Sequence, residues 1–211
     1  MTTVSFIGLG GMARAIAARA VAGGNAVELI ARDASKARSL AAKLGGGATA
    51  GVIGAVPTGD IVVLAVPYTS SVDVISHYGE ALAGKVIVDI SNTFNGDASA
   101  LVTPDGTSGA QEMAKAAPTG AHVVKAFNTV FGHVLAQGVP LDVFLAGDDA
   151  RAKAAVSRFI ESLGLRPLDV GGLEMAHWLE GVGLLTMGLA RHAVGGFDLA
   201  VGLTLPAGAA A

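Results

Sequence analysis

The stretch that most constrains the fold of this chain is Val4–Ala13, with the sequence VSFIGLGGMA. The apolar run Val4–Ile7 predicts a β-strand, and an alanine-rich helical run follows the glycines. Between them, Gly8, Gly10 and Ala13 have the spacing G-x-G-x-x-A, which is typical of a strand–turn–helix unit that binds a dinucleotide. The alternative is a glycine-rich turn that only packs a strand against a helix.

Each small residue of this loop has a physical reason in the dinucleotide interpretation. Gly8 permits a tight turn, and Gly10 has no side chain, so a pyrophosphate can approach the backbone. The helix expected to begin near Gly11 points its free N–H groups and the positive end of its dipole at the same place. Ala13 lets the helix pack close to the strand. The predicted phosphate loop consists of Gly8, Leu9, Gly10, Gly11, Met12 and Ala13.

Length and composition favour an α/β protein with much buried parallel strand. The 211 residues are enough for one substantial domain, and 52% of them are hydrophobic, as buried strands require. The net charge of −3, without a block of basic residues, argues against a nucleic-acid partner. The absence of cysteine excludes disulfides, thiol catalysis and cysteine metal sites.

Neither end of the sequence predicts a targeting or membrane segment. The first strand begins four residues into the chain, which leaves no room for a signal peptide, so we expect a cytoplasmic protein. The apolar stretch Val182–Leu205 is interrupted by Arg191, His192 and Asp198. Because such polar residues are costly in a bilayer, no membrane span is expected there.

The end of the second predicted strand, Asn25–Ala31, bears on the type of dinucleotide. At this position an acidic side chain binds the ribose of NAD, whereas an arginine accommodates the 2′-phosphate of NADP. Arg32 follows the small Ala31 and favours NADP, although an ordinary solvated arginine is the alternative. Asp33 can bind a ribose instead, but we favour a role as the cap of a helix beginning at Ala34.

Two later strands end on segments that we expect to line the same crevice, because the carboxyl ends of parallel strands meet at one edge of a sheet. The strand at residues 60–67 leads to Val66, Pro67 and Tyr68, candidates to contact a nicotinamide, with plain strand termination as the alternative. The strand at residues 85–90 leads to Asn92, Thr93 and Phe94, for which a surface turn is the alternative.

The remaining elements are read from apolar periodicity and glycine breaks. A lysine in an apolar strand needs a partner, so Lys125, in the strand at residues 122–127, is expected to pair with Asp89. The apolar helix Leu173–Val194 is hypothesised to contribute to a homodimer. A short helical turn is expected before Pro57. The other helices are predicted at Gly11–Ala22, Ala34–Leu44, Ser70–Leu82, Gly109–Ala117 and Ala150–Leu163.

Four dispersed segments resemble one known family. They are Gly8–Arg14, Gly84–Asn92, Val124–Asn128 and Leu165–Gly171. Together they resemble the NADP-dependent coenzyme F420 reductase family, which includes the cytosolic domain of the six-transmembrane ferric reductases. The resemblance covers nearly the whole chain, and four matches in order are far more specific than the glycine loop alone.

The resemblance implies an α/β fold: a Rossmann-type, doubly wound, mostly parallel sheet at residues 1–127, with a smaller C-terminal lobe at residues 128–211. It implies NADPH across the strand ends and a second carrier, coenzyme F420 or a flavin, stacked on the nicotinamide. The family's strand-two ending is Gly-Ser-Arg. Here Arg32 is kept and the hydroxyl is lost at Ala31. By position, the lining segments are Asn92, Thr93, Phe94, Asn128, Thr129 and Val130.

The hypothesis that follows is an oxidoreductase that transfers a hydride between NADP(H) and a small-molecule redox carrier. Hydride transfer between two stacked rings depends on alignment more than on acid–base side chains, so no catalytic side chain and no metal site are predicted. One alternative is a redox sensor that binds NADP(H) without turnover. The other is an enzyme similar to a flavin or ferric reductase.

Overall fold

The computed structural model describes residues 2–206, which form one eight-stranded sheet with helices on both faces. The strand order is β3-β2-β1-β4-β5-β6-β7-β8, and every neighbouring pair is parallel except the antiparallel β6–β7 pair. The strands are β1 (Thr3–Ile7), β2 (Ala26–Ile30), β3 (Thr49–Ala50), β4 (Ile61–Leu64), β5 (Val86–Asp89), β6 (His122–Ala126), β7 (Asp142–Gly147) and β8 (Arg166–Asp169).

Strands β1 to β6 have the order of a Rossmann-type doubly wound sheet, which confirms the predicted fold class. The chain order reverses between β1 and β4, and such a point opens a crevice at the carboxyl ends of the strands. The division after residue 127 stays a prediction, and the sheet itself runs across it into β7 and β8.

Seven α-helices lie within residues 2–206, joined by shorter helical turns. They are α1 (Gly11–Ala22), α2 (Ala34–Leu44), α3 (Tyr68–Tyr78), α4 (Gly109–Ala116), α5 (Gly132–Ala136), α6 (Ala150–Ser162) and α7 (Ala176–Leu189). The first two have the predicted bounds. The predicted helix Leu173–Val194 is instead a 3₁₀ turn, α7 and a π-helical turn that ends at Gly195.

The core consists of two apolar layers, one on each face of the sheet. Successive strand residues point to opposite faces, so Leu29 and Val88 pack towards α1, α2 and α6, while Ile30 and Ile87 pack towards α3 and α4. All four are almost completely buried. Full burial of one such side chain contributes about 1.5–3 kcal/mol to folding. These layers fix the strand ends that carry the predicted site.

The helical turn expected before Pro57 is wrong. The N–H of Thr58 donates to Oε2 of the buried Glu28 at 2.8 Å, and the N–H of Gly59 donates to Oγ of Ser5 at 2.8 Å. These two residues follow Pro57. Before Pro57, the N–H of Ala55 donates to the carbonyl oxygen of Val52 at 3.1 Å and Gly54 has a φ angle of +82°, so the chain forms a single non-helical turn there. The five-residue helix α5 was not predicted from the sequence.

No helix within residues 2–206 is long and apolar enough to cross a membrane. The alanine- and glycine-rich sequence after Pro206 predicts a loose tail, and these residues lie outside the described part of the chain.

Candidate functional site

Gly8, in the glycine loop, lies between the ends of β2 and β4 and contacts both. The φ angle of Gly8 is +101°, and a Cβ built on it would lie 2.3 Å from the carbonyl oxygen of Ala65. The Gly8 N–H donates to the carbonyl oxygen of Ile30 at 2.9 Å. Both the backbone angle and the close approach require glycine here. The predicted Val66 packs against the same turn.

Beyond Gly8, the loop leaves open space at the start of α1. A Cβ built on Gly10 or on Gly11 would meet no atom within 4 Å, and both residues are exposed. The first turn of α1 carries no acidic residue. Arg14 Nε donates to the carbonyl oxygen of Leu9 at 2.9 Å and holds the loop. The free N–H groups of the helix start therefore face a cradle suited to an anion.

Arg32 follows β2 with an exposed side chain and forms no ion pair with another of residues 2–206. Asp33 is the cap of α2, as predicted, and accepts the N–H groups of Ser35 at 2.9 Å and Lys36 at 3.3 Å. Hydrogen bonding from the Ser35 hydroxyl, the largest cause, lowers the pKa of Asp33. The carboxylate of Asp33 is thus engaged locally, and the guanidinium of Arg32 is free for an anion beside the half-buried Ala31.

A pocket of about 270 Å³ lies where the ends of β5 and β6 meet α7 and the start of α1. Its apolar lining includes three phenylalanines, and none of its lining residues is charged. The pocket brings together six of the predicted site residues. They are Met12, Asn92, Phe94, Asn128, Thr129 and Val130.

Phe127 has a strained backbone conformation, and this conformation turns the chain towards the pocket. Its φ angle is +64°, which is rare for a bulky L-residue, and its side chain is fully buried. Such a conformation costs about 1–3 kcal/mol and persists only where the surrounding packing determines it. The packing here includes an edge contact with Phe159, at 6.4 Å between ring centroids. The turn places Asn128 and Thr129 on the pocket wall.

The side chains of Asn92 and Asn128 form a reciprocal pair. Asn92 Nδ2 donates to the carbonyl oxygen of Asn128 at 2.9 Å, and Asn128 Nδ2 donates to Asn92 Oδ1 at 2.9 Å. Asn128 Nδ2 also donates to the carbonyl oxygen of Leu179 at 2.8 Å. Both amide protons of Asn128 are thereby used, and this network fixes which amide atom is the oxygen.

Two buried polar atoms of the pocket remain without a partner. Asn128 is 7% exposed and Thr129 is 2% exposed, yet Asn128 Oδ1 and Thr129 Oγ1 have no hydrogen-bond partner among residues 2–206. Buried polar groups in folded proteins are nearly always hydrogen-bonded, and each exception needs an explanation. Both residues line the pocket, so a polar group of a bound molecule is a candidate partner for these atoms.

Behind the pocket lies a buried cluster of Asp89, Lys125 and Glu180, which we call the Lys125 triad. Thr93 contacts this cluster. Lys125 Nζ lies 2.7 Å from Asp89 Oδ2 and 2.8 Å from Glu180 Oε1, and all three side chains are fully buried. The predicted Lys125–Asp89 pair is therefore confirmed. Thr93 Oγ1 donates to Glu180 Oε2 at 2.6 Å and is held away from the pocket.

Burial lowers the pKa of Lys125, but the attraction of Asp89 and of Glu180 outweighs it, so the pKa is raised overall. The ammonium group also donates to the carbonyl oxygen of Ser91 at 2.7 Å, so each of its protons has an acceptor. The Lys125 triad thus joins β5, β6 and α7 directly behind the pocket.

The predicted residues Pro67 and Tyr68 do not line this pocket. Pro67 precedes α3 and is exposed. The Tyr68 hydroxyl donates to Glu112 Oε2 on α4 at 2.6 Å. Burial, with the hydrogen bond to Glu112 as the next cause, raises the pKa of Tyr68 to about 12. Tyr68 therefore tethers α3 to α4 at the same edge of the sheet.

A larger groove of about 650 Å³ runs between α1 and α5 and meets the glycine loop only at Gly11 and Met12. Alanines and glycines form most of its lining, and the donors of Arg19 are bonded to the carbonyl oxygens of Leu135, Val139 and Leu163. Since the unpartnered polar atoms lie elsewhere, the smaller pocket is the better candidate.

Comparison with known proteins agrees with this geometry. Residues 3–93 match the family model described as "NADP oxidoreductase coenzyme F420-dependent". Over these residues, which are less than half of the chain, the sequence is similar to that family. The match to this F420-dependent oxidoreductase family includes the glycine loop, Arg32 and the segment up to Thr93. Asn128, Thr129 and Glu180 lie beyond it.

Two curated relatives and one solved structure extend the comparison beyond the family match. The F420-dependent NADP reductase of Methanocaldococcus jannaschii is 33% identical over 62% of the chain. Metalloreductase STEAP3 of Rattus norvegicus is 30% identical over 86% of the chain. The chain spans 62% and 36% of the lengths of these two proteins. A candidate F420-dependent NADP reductase from Arthrobacter has the same fold, with a TM-score of 0.81 at 24% identity over 94% of this chain and 97% of that one.

Several residues that shape the site were not predicted from the sequence. Glu180 is an acidic residue within an apolar helix, a signal comparable to the one that singled out Lys125. Gly183 gave no such signal, yet a Cβ there would lie 2.7 Å from Asn92 Oδ1, so it allows α7 to pack on the pocket. The φ angle of Phe127 also had no signal in the sequence.

Proposed function

We propose that the chain is an NADP-linked oxidoreductase that transfers a hydride between NADP(H) and a flat carrier, either coenzyme F420 or a flavin. The observation that carries the proposal is the open cradle at Gly10 and Gly11, in a segment that matches the model of the F420-dependent NADP oxidoreductase family. The residues present fit such a cofactor, because the cradle suits a pyrophosphate and the pocket has two polar atoms without a partner.

Three parts of the chain would hold NADP(H). The start of α1 would bind the pyrophosphate, and Arg32 would bind the 2′-phosphate. Asn128 Oδ1 and Thr129 Oγ1 would hydrogen-bond the carboxamide of the nicotinamide, whose ring supplies or accepts the hydride. The phenylalanines of the pocket would exclude water, which favours transfer between aligned rings.

The second carrier is proposed from the chemistry of the pocket and from the relatives. The uncharged, aromatic lining suits a neutral ring system, which both deazaflavins and flavins offer. The name of the Methanocaldococcus jannaschii relative supports coenzyme F420. The name of Metalloreductase STEAP3 supports the alternative that this chain is similar to a ferric reductase. For such an enzyme we propose a flavin as the carrier.

Arg32→Ala tests the proposed preference for NADP. Because a guanidinium forms strong paired hydrogen bonds with a phosphate, its removal is expected to weaken NADPH binding by about tenfold and to leave NADH binding nearly unchanged. Isothermal titration calorimetry with both nucleotides measures this. Arg38→Ala, on the exposed face of α2, is the matched control and should change neither affinity. Equal weakening of NADH binding by Arg32→Ala would contradict the role given to Arg32.

Thr129→Val tests the proposed carboxamide contact. Valine has nearly the same shape and removes a buried hydroxyl without a partner, so the free energy of unfolding should stay equal or rise. If Thr129 Oγ1 binds the cofactor, the Kd for NADPH should rise by about five- to twentyfold. Urea unfolding and calorimetry give the two quantities. An unchanged Kd would show that the hydroxyl does not contact NADPH.

We also propose that α7 contributes to a homodimer. Its exposed face carries Trp178, Leu185 and Leu189, which are 64%, 61% and 37% exposed. Exposed apolar patches of this kind mark interaction sites. Light scattering should report twice the mass of the chain, and a monomer at micromolar concentration would contradict the proposal. A cytoplasmic location stays a prediction.

A further inference from the structure

We propose that the Lys125 triad places one net negative charge behind the pocket, and that this charge strengthens the binding of NADP⁺ relative to NADPH. The inference rests on the proposed function, because it concerns the nicotinamide end of that cofactor. Asp89 and Glu180 do not line the pocket, so they act through space rather than by contact.

The hydrogen bonds of Asp89 indicate an ionised carboxylate. Its Oδ1 accepts from the N–H of Ser91 at 2.8 Å and from the hydroxyl of Ser91 at 2.7 Å. Its Oδ2 accepts from Lys125 at 2.7 Å. Both oxygens therefore accept hydrogen bonds from N–H donors, as an ionised carboxylate does.

Glu180 has an equally complete set of donors. Its Oε1 accepts from Lys125 at 2.8 Å and from the N–H of Gly109 at 3.0 Å, and its Oε2 accepts from Thr93 at 2.6 Å. Gly109 is the first residue of α4, so the positive end of that helix also favours the ionised form. Two carboxylates and one ammonium leave the Lys125 triad with a net charge of −1.

The position of the Lys125 triad couples this charge to the pocket. Asp89 ends β5 and is paired in register with Lys125 on β6. The chain then continues from each strand into the pocket wall, through Ile90 after β5 and Phe127 after β6. Gly183, on the same helix as Glu180, also lines the pocket. The residues of the Lys125 triad thus lie on β5, β6 and α7, the three elements that lead into the lining of the pocket.

A charge in this place discriminates between the two forms of the cofactor. The nicotinamide ring of NADP⁺ is a cation, whereas that of NADPH is neutral, so the net negative charge attracts only the oxidised ring. Because the Lys125 triad is fully buried, salt and water screen it little. Other contacts of the cofactor are shared by both forms and cancel from the ratio of the two Kd values.

The test is the ratio of the Kd for NADP⁺ to that for NADPH, measured by calorimetry in Glu180→Gln and Asp89→Asn. Each variant removes one negative charge and keeps the shape of the side chain. We expect the ratio to rise by about three- to tenfold in each, because each substitution removes the Coulomb attraction of one buried charge, which the protein interior screens less than water does. General damage to the site weakens both forms alike and leaves the ratio unchanged.

Glu28→Gln is the matched control. Glu28 is also a buried carboxylate, bonded to the hydroxyl of Ser5 and the N–H of Thr58, but it lies near the amino end of β4. Its substitution should leave the ratio unchanged. An equal rise in Glu28→Gln would overturn the inference, because the effect would not be local to the Lys125 triad.

The remaining outcomes separate this inference from the proposed function. An unchanged ratio in Asp89→Asn, in a chain that binds both nucleotides, overturns the inference and leaves the proposed function intact. If the unsubstituted chain binds neither nucleotide, the proposed function fails and the inference fails with it. If Glu180→Gln does not fold, Asp89→Asn alone decides the result.

Discussion

Gly10→Ala is expected to leave the chain folded and to abolish most of its affinity for NADPH. A Cβ on Gly10 meets no protein atom within 4 Å, and its φ angle of −65° suits alanine. The methyl group would instead occupy the space through which the pyrophosphate approaches the backbone, so the Kd should rise by about ten- to a hundredfold. Calorimetry measures the affinity, and urea unfolding measures the stability.

Gly8→Ala, in the same loop, is expected to destabilise the fold, whereas Gly10→Ala leaves the chain folded. The added Cβ would lie 2.3 Å from the carbonyl oxygen of Ala65, at a φ angle of +101°. Overpacking costs about 1–3 kcal/mol, and strain at a positive φ adds about 1–2 kcal/mol. The two terms predict a loss of about 3 kcal/mol in the free energy of unfolding.

Gly24→Ala is the control that separates strain from overpacking. Its φ angle is +76°, and a Cβ there meets no atom within 4 Å, so only the strain of about 1–2 kcal/mol is expected. If Gly8→Ala were as stable as Gly24→Ala, the close approach to Ala65 would be contradicted. If Gly10→Ala bound NADPH as the unsubstituted chain does, the cradle would not be the pyrophosphate site.

Lys125→Met is expected to cause the largest loss of stability among these variants. Methionine fills a similar volume but leaves Asp89 and Glu180 buried without their shared cation. Removing one partner of a buried ion pair typically costs about 3–5 kcal/mol, because the remaining charge stays desolvated. Urea unfolding at neutral pH measures the change in the free energy of unfolding.

Lys153→Met is the matched control for Lys125→Met. Lys153 also pairs with one carboxylate, that of Asp169 at 2.9 Å, but the two side chains are 18% and 48% exposed. An ion pair that water reaches contributes about 0–1 kcal/mol, so the control should lose little stability. A loss for Lys125→Met no larger than that for Lys153→Met would contradict the described role of the Lys125 triad.

The effect of Lys125→Met should also depend on pH at the alkaline end. The pKa of Lys125 is raised above 10.5, since the attraction of Asp89 and Glu180 outweighs the effect of burial. A folded-state pKa above the unfolded one gives a contribution that is complete below the unfolded value and is lost as the pH rises through the folded value. The difference in stability should therefore be constant near neutral pH and shrink above pH 10.5.

The parts of the fold that could be predicted are those whose sequence carries a local reason. Gly8 and the apolar runs around it fixed β1 and α1, and Asp33 marked the start of α2 by its capping chemistry. The segment before β4 could not be predicted. Its N–H groups bind Ser5 and Glu28, two side chains far away in the sequence. Helix α5 has only five residues, too few for a periodic pattern.

The candidate site also has features that could be predicted from the sequence and features that could not. The ends of β5 and β6 could be predicted from the sequence to within one residue, and so could the need of Lys125 for a carboxylate on the neighbouring strand, whereas β4 ends at Leu64, before its predicted end at Pro67. Glu180 lies 55 residues further along the chain from Lys125, so only the packing of α7 shows that it completes the cluster. The strained Phe127 and the unpartnered oxygen of Asn128 depend on tertiary packing, which local patterns do not encode.

Hydride transfer from NADPH to a carrier is tested most directly by the absorbance of reduced nicotinamide over time. NADPH or NADH is mixed with the purified chain and, in separate samples, with coenzyme F420, FMN, FAD or buffer alone. We expect oxidation of NADPH with at least one carrier, little with buffer, and a slower reaction of NADH. Binding of NADPH without oxidation in any sample would contradict hydride transfer to these carriers and favour a redox sensor.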